Sequence, residues 1–127
     1  MSGRIPRILV VDDEEAIRRM LDLILRSKGY LVEFACDGRK GVESAVKNPP
    51  DAVLLDLLMP GANGYEAIRA LRAAPGTREV PIIVLSAKTY PRDKEQALSM
   101  GANDFLEKPI DRDALAAALE RHMGGER

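Results

Sequence analysis

Five short aliphatic runs alternate with stretches whose apolar residues recur at helical spacing, and no other feature narrows the possible folds as far. The runs are RILVV (Arg7–Val11), YLVEFA (Tyr30–Ala35), DAVLLD (Asp51–Asp56), PIIVLSA (Pro81–Ala87) and NDFLEK (Asn103–Lys108). A strand followed by a helix starts its next strand in the same direction, so the pattern predicts a parallel sheet covered by helices. The first, third and fourth runs are nearly continuous in apolar residues, as strands buried on both faces must be. The second alternates more and is expected at an edge.

Between the runs, Ile17, Met20, Leu21 and Ile24 form one helical stripe, and Gly29 stands where a left-handed cap would end it. Asp37 can accept the free backbone donors of a second helix, which stops before Pro49 and Pro50. GYEAIRALRAA makes a third, closed by Pro75 and Gly76. Pro91, harmless in a first turn, opens a fourth that ends at Gly101. Asp111 caps a fifth in which Leu115, Ala118, Leu119 and His122 share one face. The expected fold class is α/β, a (βα)5 chain with no repeat, linker or low-complexity segment. The closing MGGER reads as a frayed tail.

A chain of 127 residues fits one domain. Its 19 Lys plus Arg balance 20 Asp plus Glu, so it has no global basic field and direct nucleic-acid binding is not expected. No apolar run is long enough to span a bilayer, and MSGRIPR lacks the apolar core of a signal peptide. No membrane association is expected, and the reading is of a cytoplasmic protein. The single cysteine, Cys36, has no internal disulfide partner and no zinc-site spacing, and reads as a free thiol without a special role.

The polar residues fall on one side of this plan. Asp12 and Asp13 follow the first strand, Asp56 ends the third, Ser86 the fourth and Lys108 the fifth. All lie at carboxyl ends, the edge where an open doubly wound sheet binds ligands. In a flavodoxin-like strand order, 2-1-3-4-5, the first and third strands meet at the crevice, which brings Asp12 and Asp13 close to Asp56. Three carboxylates so placed repel by roughly 2 to 4 kcal/mol per pair at an effective dielectric near 20. A hard divalent cation offsets this, and carboxylates with waters and a phosphate oxygen are the usual ligands of Mg2+. Lys108 and Ser86 supply a positive charge and a hydroxyl for phosphoryl oxygens, which leaves Asp56 as the nucleophile.

ILVVDDE, LLDLLMPGANG, IIVLSA and GANDFLEKP together resemble the signature segments of response-regulator receiver domains, in order and across nearly the whole chain. The resemblance implies a receiver over residues 4–123, with 124–127 as a short tail. It implies that Asp56 is the phosphorylated residue, that Asp12 and Asp13 hold Mg2+ with the backbone carbonyl of Leu58, and that Ser86 follows the phosphoryl group on activation. Lys108 matches the site lysine and Phe105 the switch aromatic, and the Lys108–Pro109 bond is expected to be cis. The implied partners are a sensor histidine kinase or phosphotransfer protein as donor, and an output protein, or a second copy on phosphorylation. These would act at the face made by the fourth helix, fifth strand and fifth helix. Such a domain is a switch that assists its own phosphorylation and slow dephosphorylation, rather than an enzyme on an external substrate. Leu58 and Lys88 occupy the positions that tune hydrolysis in the family.

Each residue has a plainer reading alone. Asp12 or Asp13 could cap the first helix, Lys108 could be a solvated lysine, Ser86 a loop residue and Phe105 core. Their convergence on one edge of one sheet favours function. His122 reads as an exposed helix residue, and Met20, Met59 and Met100 as packing residues. A haloacid-dehalogenase-type phosphohydrolase would need a second acid where Leu58 stands. A phosphorylation-independent pseudo-receiver would keep the fold, but such modules usually lack a site residue and here none is missing.

Overall fold

The computed structural model of the chain describes residues 5–59, 62–87 and 90–123. Its five-stranded sheet is made of β1 (Arg7–Val11), β2 (Leu31–Ala35), β3 (Ala52–Asp56), β4 (Ile82–Ser86) and β5 (Asp104–Glu107). All neighbours are parallel, in the order β2-β1-β3-β4-β5. The expected flavodoxin-like order is therefore the observed one, with β2 at an edge. β1 runs as predicted, and the other four strands are shorter than predicted by a residue or two. Tyr30, Asp51, Pro81, Ala87, Asn103 and Lys108 flank the ladder without belonging to it. A two-residue antiparallel ladder, Leu58–Met59 with Ala62–Asn63, was not foreseen.

Helices α1 (Glu15–Ser27), α2 (Gly38–Lys47), α3 (Gly64–Ala73), α4 (Pro91–Ser99) and α5 (Arg112–His122) alternate with the strands. Asp37 and Asp111 accept the backbone N–H groups of Lys40 and Ala114, each at 2.8 Å, and so cap α2 and α5. Gly29 and Gly101 follow α1 and α4 with φ of 91° and 121°, a region costly for any side chain with a Cβ. The cap reading of Asp12 and Asp13 needs correction. Glu14 occupies the N-cap of α1 without a side-chain bond, while Asp12 Oδ1 accepts the Glu14 N–H at 2.9 Å, one step ahead of the helix.

Successive side chains on a strand point to opposite faces, which divides the aliphatic runs between two cores. Leu9, Val11, Val53, Leu55, Ile82 and Val84 face one side, with Ala45 of α2, Ile68 and Leu71 of α3 and Ala97 of α4. Ile8, Val10, Leu54, Ile83 and Leu85 face the other, with Leu21 and Leu25 of α1 and Leu115 and Leu119 of α5. Met59 is buried, and Met20 and Met100 pack at the margins of these clusters. His122 is not the exposed residue expected from its place on α5. Its Nε2 lies 3.1 Å from Asp104 Oδ2, which also accepts from Arg121 Nη1 at 2.6 Å, because α5 leans its last turn on β5. No helix among the described residues is long and apolar enough to cross a membrane.

Arg72, at the end of α3, ties the lower half of this sandwich together. Its guanidinium donates to the carbonyls of Gly101 (2.9 Å), Thr77 (3.1 Å), Arg78 (2.9 Å) and Val80 (2.8 Å), and to Asn103 Oδ1 (2.8 Å). Asn103 Oδ1 in turn accepts the N–H of Ile82, where β4 starts. A lysine offers three donors on a compact head and cannot span this fan of acceptors. Arg72→Lys is therefore expected to lower stability by about 2 kcal/mol or more, since carbonyls lose their donor. An unchanged urea midpoint would contradict this role.

Candidate functional site

The carboxyl ends of β1, β3, β4 and β5 bring the acids, the hydroxyl and the lysine into one cleft. Asp12 leaves β1 with its N–H bonded to the Ala35 carbonyl at 3.1 Å, and Arg18, from the first turns of α1, donates to the Asp12 carbonyl at 2.8 Å. Asp56 closes β3, paired with Leu85 of β4. Its Oδ1 accepts the Leu58 N–H at 3.3 Å. The Lys108 N–H donates to the Ser86 carbonyl at 2.8 Å, which holds the residue after β5 against the end of β4. Asp12 and Ser86 are 0% exposed and Asp56 2%.

One ammonium faces several carboxylates. Lys108 Nζ stands 3.0 Å from Asp12 Oδ2, 3.1 Å from Glu14 Oε1 and 3.4 Å from Asp56 Oδ2. Asp13, exposed at the rim, completes a trio with Asp12 and Asp56 whose ligand oxygens lie within 4.8 Å of one another. Asp12, Asp13, Glu14 and Asp56 outnumber Lys108 and Arg18, which leaves the cleft net negative. Burial, then the charge of Asp12, push the Asp56 carboxyl up from 3.8 to about 6, against the opposing pull of Lys108 and the Leu58 N–H. Burial alone would lower the Lys108 ammonium, but the carboxylates of Asp12, Glu14 and Asp56 outweigh it and raise it. Asp12 Oδ2 is buried and faces the Lys108 ammonium at 3.0 Å as an ion pair, with no further polar partner among the described residues. A buried carboxylate oxygen in that condition is a place for a cation.

The structure thus gathers Asp12, Asp13, Asp56, Ser86 and Lys108 at one sheet edge. Leu58 follows on the short ladder with its side chain half exposed, and Phe105 lies half-buried on β5 against the core shared with α3 and α4. The Lys108–Pro109 bond is cis. Lys88, residues 124–127 and residue 4 of the expected domain lie outside the described residues. Two residues escaped the sequence reading. Glu14 belongs to the DDE run, yet nothing local shows that it meets a lysine 94 positions away. Arg18, four residues further, carries no signal beyond its charge.

Comparison with known proteins identifies the family. The family model for the response regulator receiver domain matches residues 8–120. The chain is 44% identical over 105 residues to the response regulator PleD of Caulobacter vibrioides, covering 83% of this chain and 23% of that protein. It is 38% identical over 114 residues to the DNA-binding dual master transcriptional regulator RpaA of Synechocystis, covering 90% and 47%. The chain therefore spans about half or less of the length of these relatives. Among solved structures, the receiver domain of the sensor histidine kinase PA1611 from Pseudomonas aeruginosa, with a magnesium ion coordinated in its active-site cleft, superimposes with a TM-score of 0.88. That likeness comes at 38% identity and covers 96% of this chain and 100% of the other. The chemotaxis protein CheY4 of Vibrio cholerae gives 0.88 at 34% identity, over 94% and 99%. Likeness of sequence and of shape over almost the whole sheet, with an acidic cleft at the edge where such folds bind ligands, places the chain in the response regulator receiver domain family of two-component systems.

Proposed function

We propose that this domain accepts a phosphoryl group on Asp56 and uses the modification as a signalling mark. The observation that carries the reading is the charge of the cleft: a 2%-exposed aspartate shares one lysine with Asp12 and Glu14 and stays under-compensated. Asp12, Asp13 and Asp56 fit a divalent ion, since their oxygens cluster within 4.8 Å and Asp12 Oδ2 has no polar partner among the described residues beyond the Lys108 ammonium. They would hold Mg2+, with the Leu58 carbonyl that the family likeness implies. When bound, the ion supplies charge neutralisation at phosphoryl oxygens.

The residues of the chain do the rest. The Asp56 carboxylate attacks the phosphorus of a phosphohistidine on a kinase or phosphotransfer protein; the O–P bond forms as the P–N bond breaks, and the imidazole leaves with a solvent proton. Lys108 and Ser86 donate to the phosphoryl oxygens. Because Ser86 ends β4 and Phe105 lies on adjacent β5, their ordering around the new dianion biases the face of α4, β5 and α5, where an output protein or a second copy binds. Incubation with Mg2+ and acetyl phosphate should add the mass of one phosphoryl group to the parent and none to Asp56→Asn. A parent that gains no mass would overturn the proposal in favour of a phosphorylation-independent interaction module.

The lifetime of the mark follows from Leu58. Its half-exposed aliphatic side chain cannot orient an attacking water. The phosphorylated parent is expected to outlast phosphorylated Leu58→Asn by several-fold, followed as loss of phosphoryl mass. Equal decay would refute a role for this position.

A further inference from the structure

The Lys108 ammonium has three hydrogens to donate and three carboxylate oxygens around it, those of Asp12 at 3.0 Å, Glu14 at 3.1 Å and Asp56 at 3.4 Å. A phosphoryl oxygen that engages this ammonium competes with these carboxylates for it, and of the three contacts the one to Glu14 has hydrogen-bond geometry. The three are not equally displaceable. Asp12 and Asp56 are fixed at strand ends and buried, so neither can turn away from the ammonium into water. Glu14 precedes α1 with its side chain 59% exposed, and turning it into water strands nothing. Its contact also has hydrogen-bond geometry, so it holds the ammonium in one place.

We propose that Glu14 is a positioning residue that stands in for the phosphoryl group on Lys108 and yields its place when a phosphodonor arrives. The inference rests on the reading of Asp56 as the phosphoryl acceptor. Glu14 lies outside the trio of Asp12, Asp13 and Asp56 and makes its contact with Lys108, so it acts on the seating of the anion and not on the attack by Asp56. It opposes binding twice, by occupying the donor of Lys108 and by repelling a dianion with its own charge.

Glu14→Gln keeps the shape and removes the charge. With saturating Mg2+, the acetyl phosphate concentration that gives half the maximal phosphorylation rate should fall about two- to five-fold, the range of an exposed ion pair, while the maximal rate stays as in the parent. The difference should shrink at high salt, where exposed charges are screened. Glu14→Asp, which retains the charge, should keep the salt dependence of the parent. Inorganic phosphate, followed by phosphorus NMR with Mg2+ present, should bind Glu14→Gln more tightly by a similar factor without any transfer. If the parent is phosphorylated and Glu14→Gln shows its half-saturation and phosphate affinity, the inference alone fails. A lowered maximal rate would overturn it as well, by placing Glu14 in the attack step. If the parent gains no phosphoryl mass, the reading of the site falls and this inference with it.

Discussion

Asp56→Asn is expected to melt above the parent protein at pH 8 in the absence of divalent cations, and to lose that advantage at pH 4. The Asp56 carboxyl titrates at about 6 when folded and near 3.8 when solvated, so the folded protein holds its proton more tightly. Stability from this group is therefore present below pH 3.8 and is lost as the pH rises through 6. A shift of that size corresponds to at most about 3 kcal/mol of destabilisation at alkaline pH. The asparagine Oδ1 can still accept the Leu58 N–H, and Lys108 keeps Asp12 and Glu14, so most of the gain should survive. A gain of about 1 to 2 kcal/mol shifts the melting temperature by roughly 3 to 8 °C in a domain of this size. Millimolar Mg2+ should stabilise the parent and narrow the difference, because an ion that binds only the folded state adds stability in proportion to its occupancy. Equal melting points at pH 8 without metal, or an advantage that persists undiminished at pH 4, would show that Asp56 does not carry the strain of this cleft.

Gly64→Ala should be the most damaging single methyl addition in the described fold. A Cβ built on Gly64 would lie 2.6 Å from the Leu57 carbonyl oxygen and 2.7 Å from its Cα. Both are backbone atoms, and the Gly64 N–H already donates to that carbonyl at 3.1 Å, so no rotamer change relieves the overlap. The turn between β3 and α3 has to open. The expected loss is about 3 kcal/mol, the upper range for forcing an extra carbon into a packed place. Because Leu58 presents its N–H to Asp56 from the same turn, the proposed phosphorylation should also be slower in the variant, even where it is folded. Gly76→Ala is the control. Its Cβ would meet Pro49 Cγ at an ordinary 3.5 Å, and its urea midpoint should stay within about 0.5 kcal/mol of the parent. A Gly64→Ala protein as stable as the control would mean that the turn has slack the present packing does not show.

The distance to which the amino-acid order alone reaches is set by the range of the forces it encodes. Caps at Asp37 and Asp111, helix stops at Gly29 and Gly101, and the burial of the first, third and fourth aliphatic runs on both faces depend on neighbours within a few positions. All of these were legible, as was the placement of Asp12, Asp13, Asp56, Ser86 and Lys108 at carboxyl ends, because a strand ends where its apolar run does. Strand limits were less so, since Pro81 and Asp51 are ladder residues only if a partner lies opposite.

What the chain order could not contain is which atoms meet. Arg72 gathers acceptors from residues 77 to 103, and no local pattern marks it as different from any other surface arginine. His122 looked exposed because its partner, Asp104, belongs to another element. The titration of Asp56 depends on how deeply β3 is covered and on a lysine from β5's far end, quantities that exist only once the sheet is assembled in its order β2-β1-β3-β4-β5. Residue order specifies the alternation of elements and the residue types at the sheet's edge, whereas only the packed sheet brings one ammonium against Asp12, Glu14 and Asp56. Periodicity acts between near neighbours along the chain, while burial and Coulomb energy act between whatever the fold brings together.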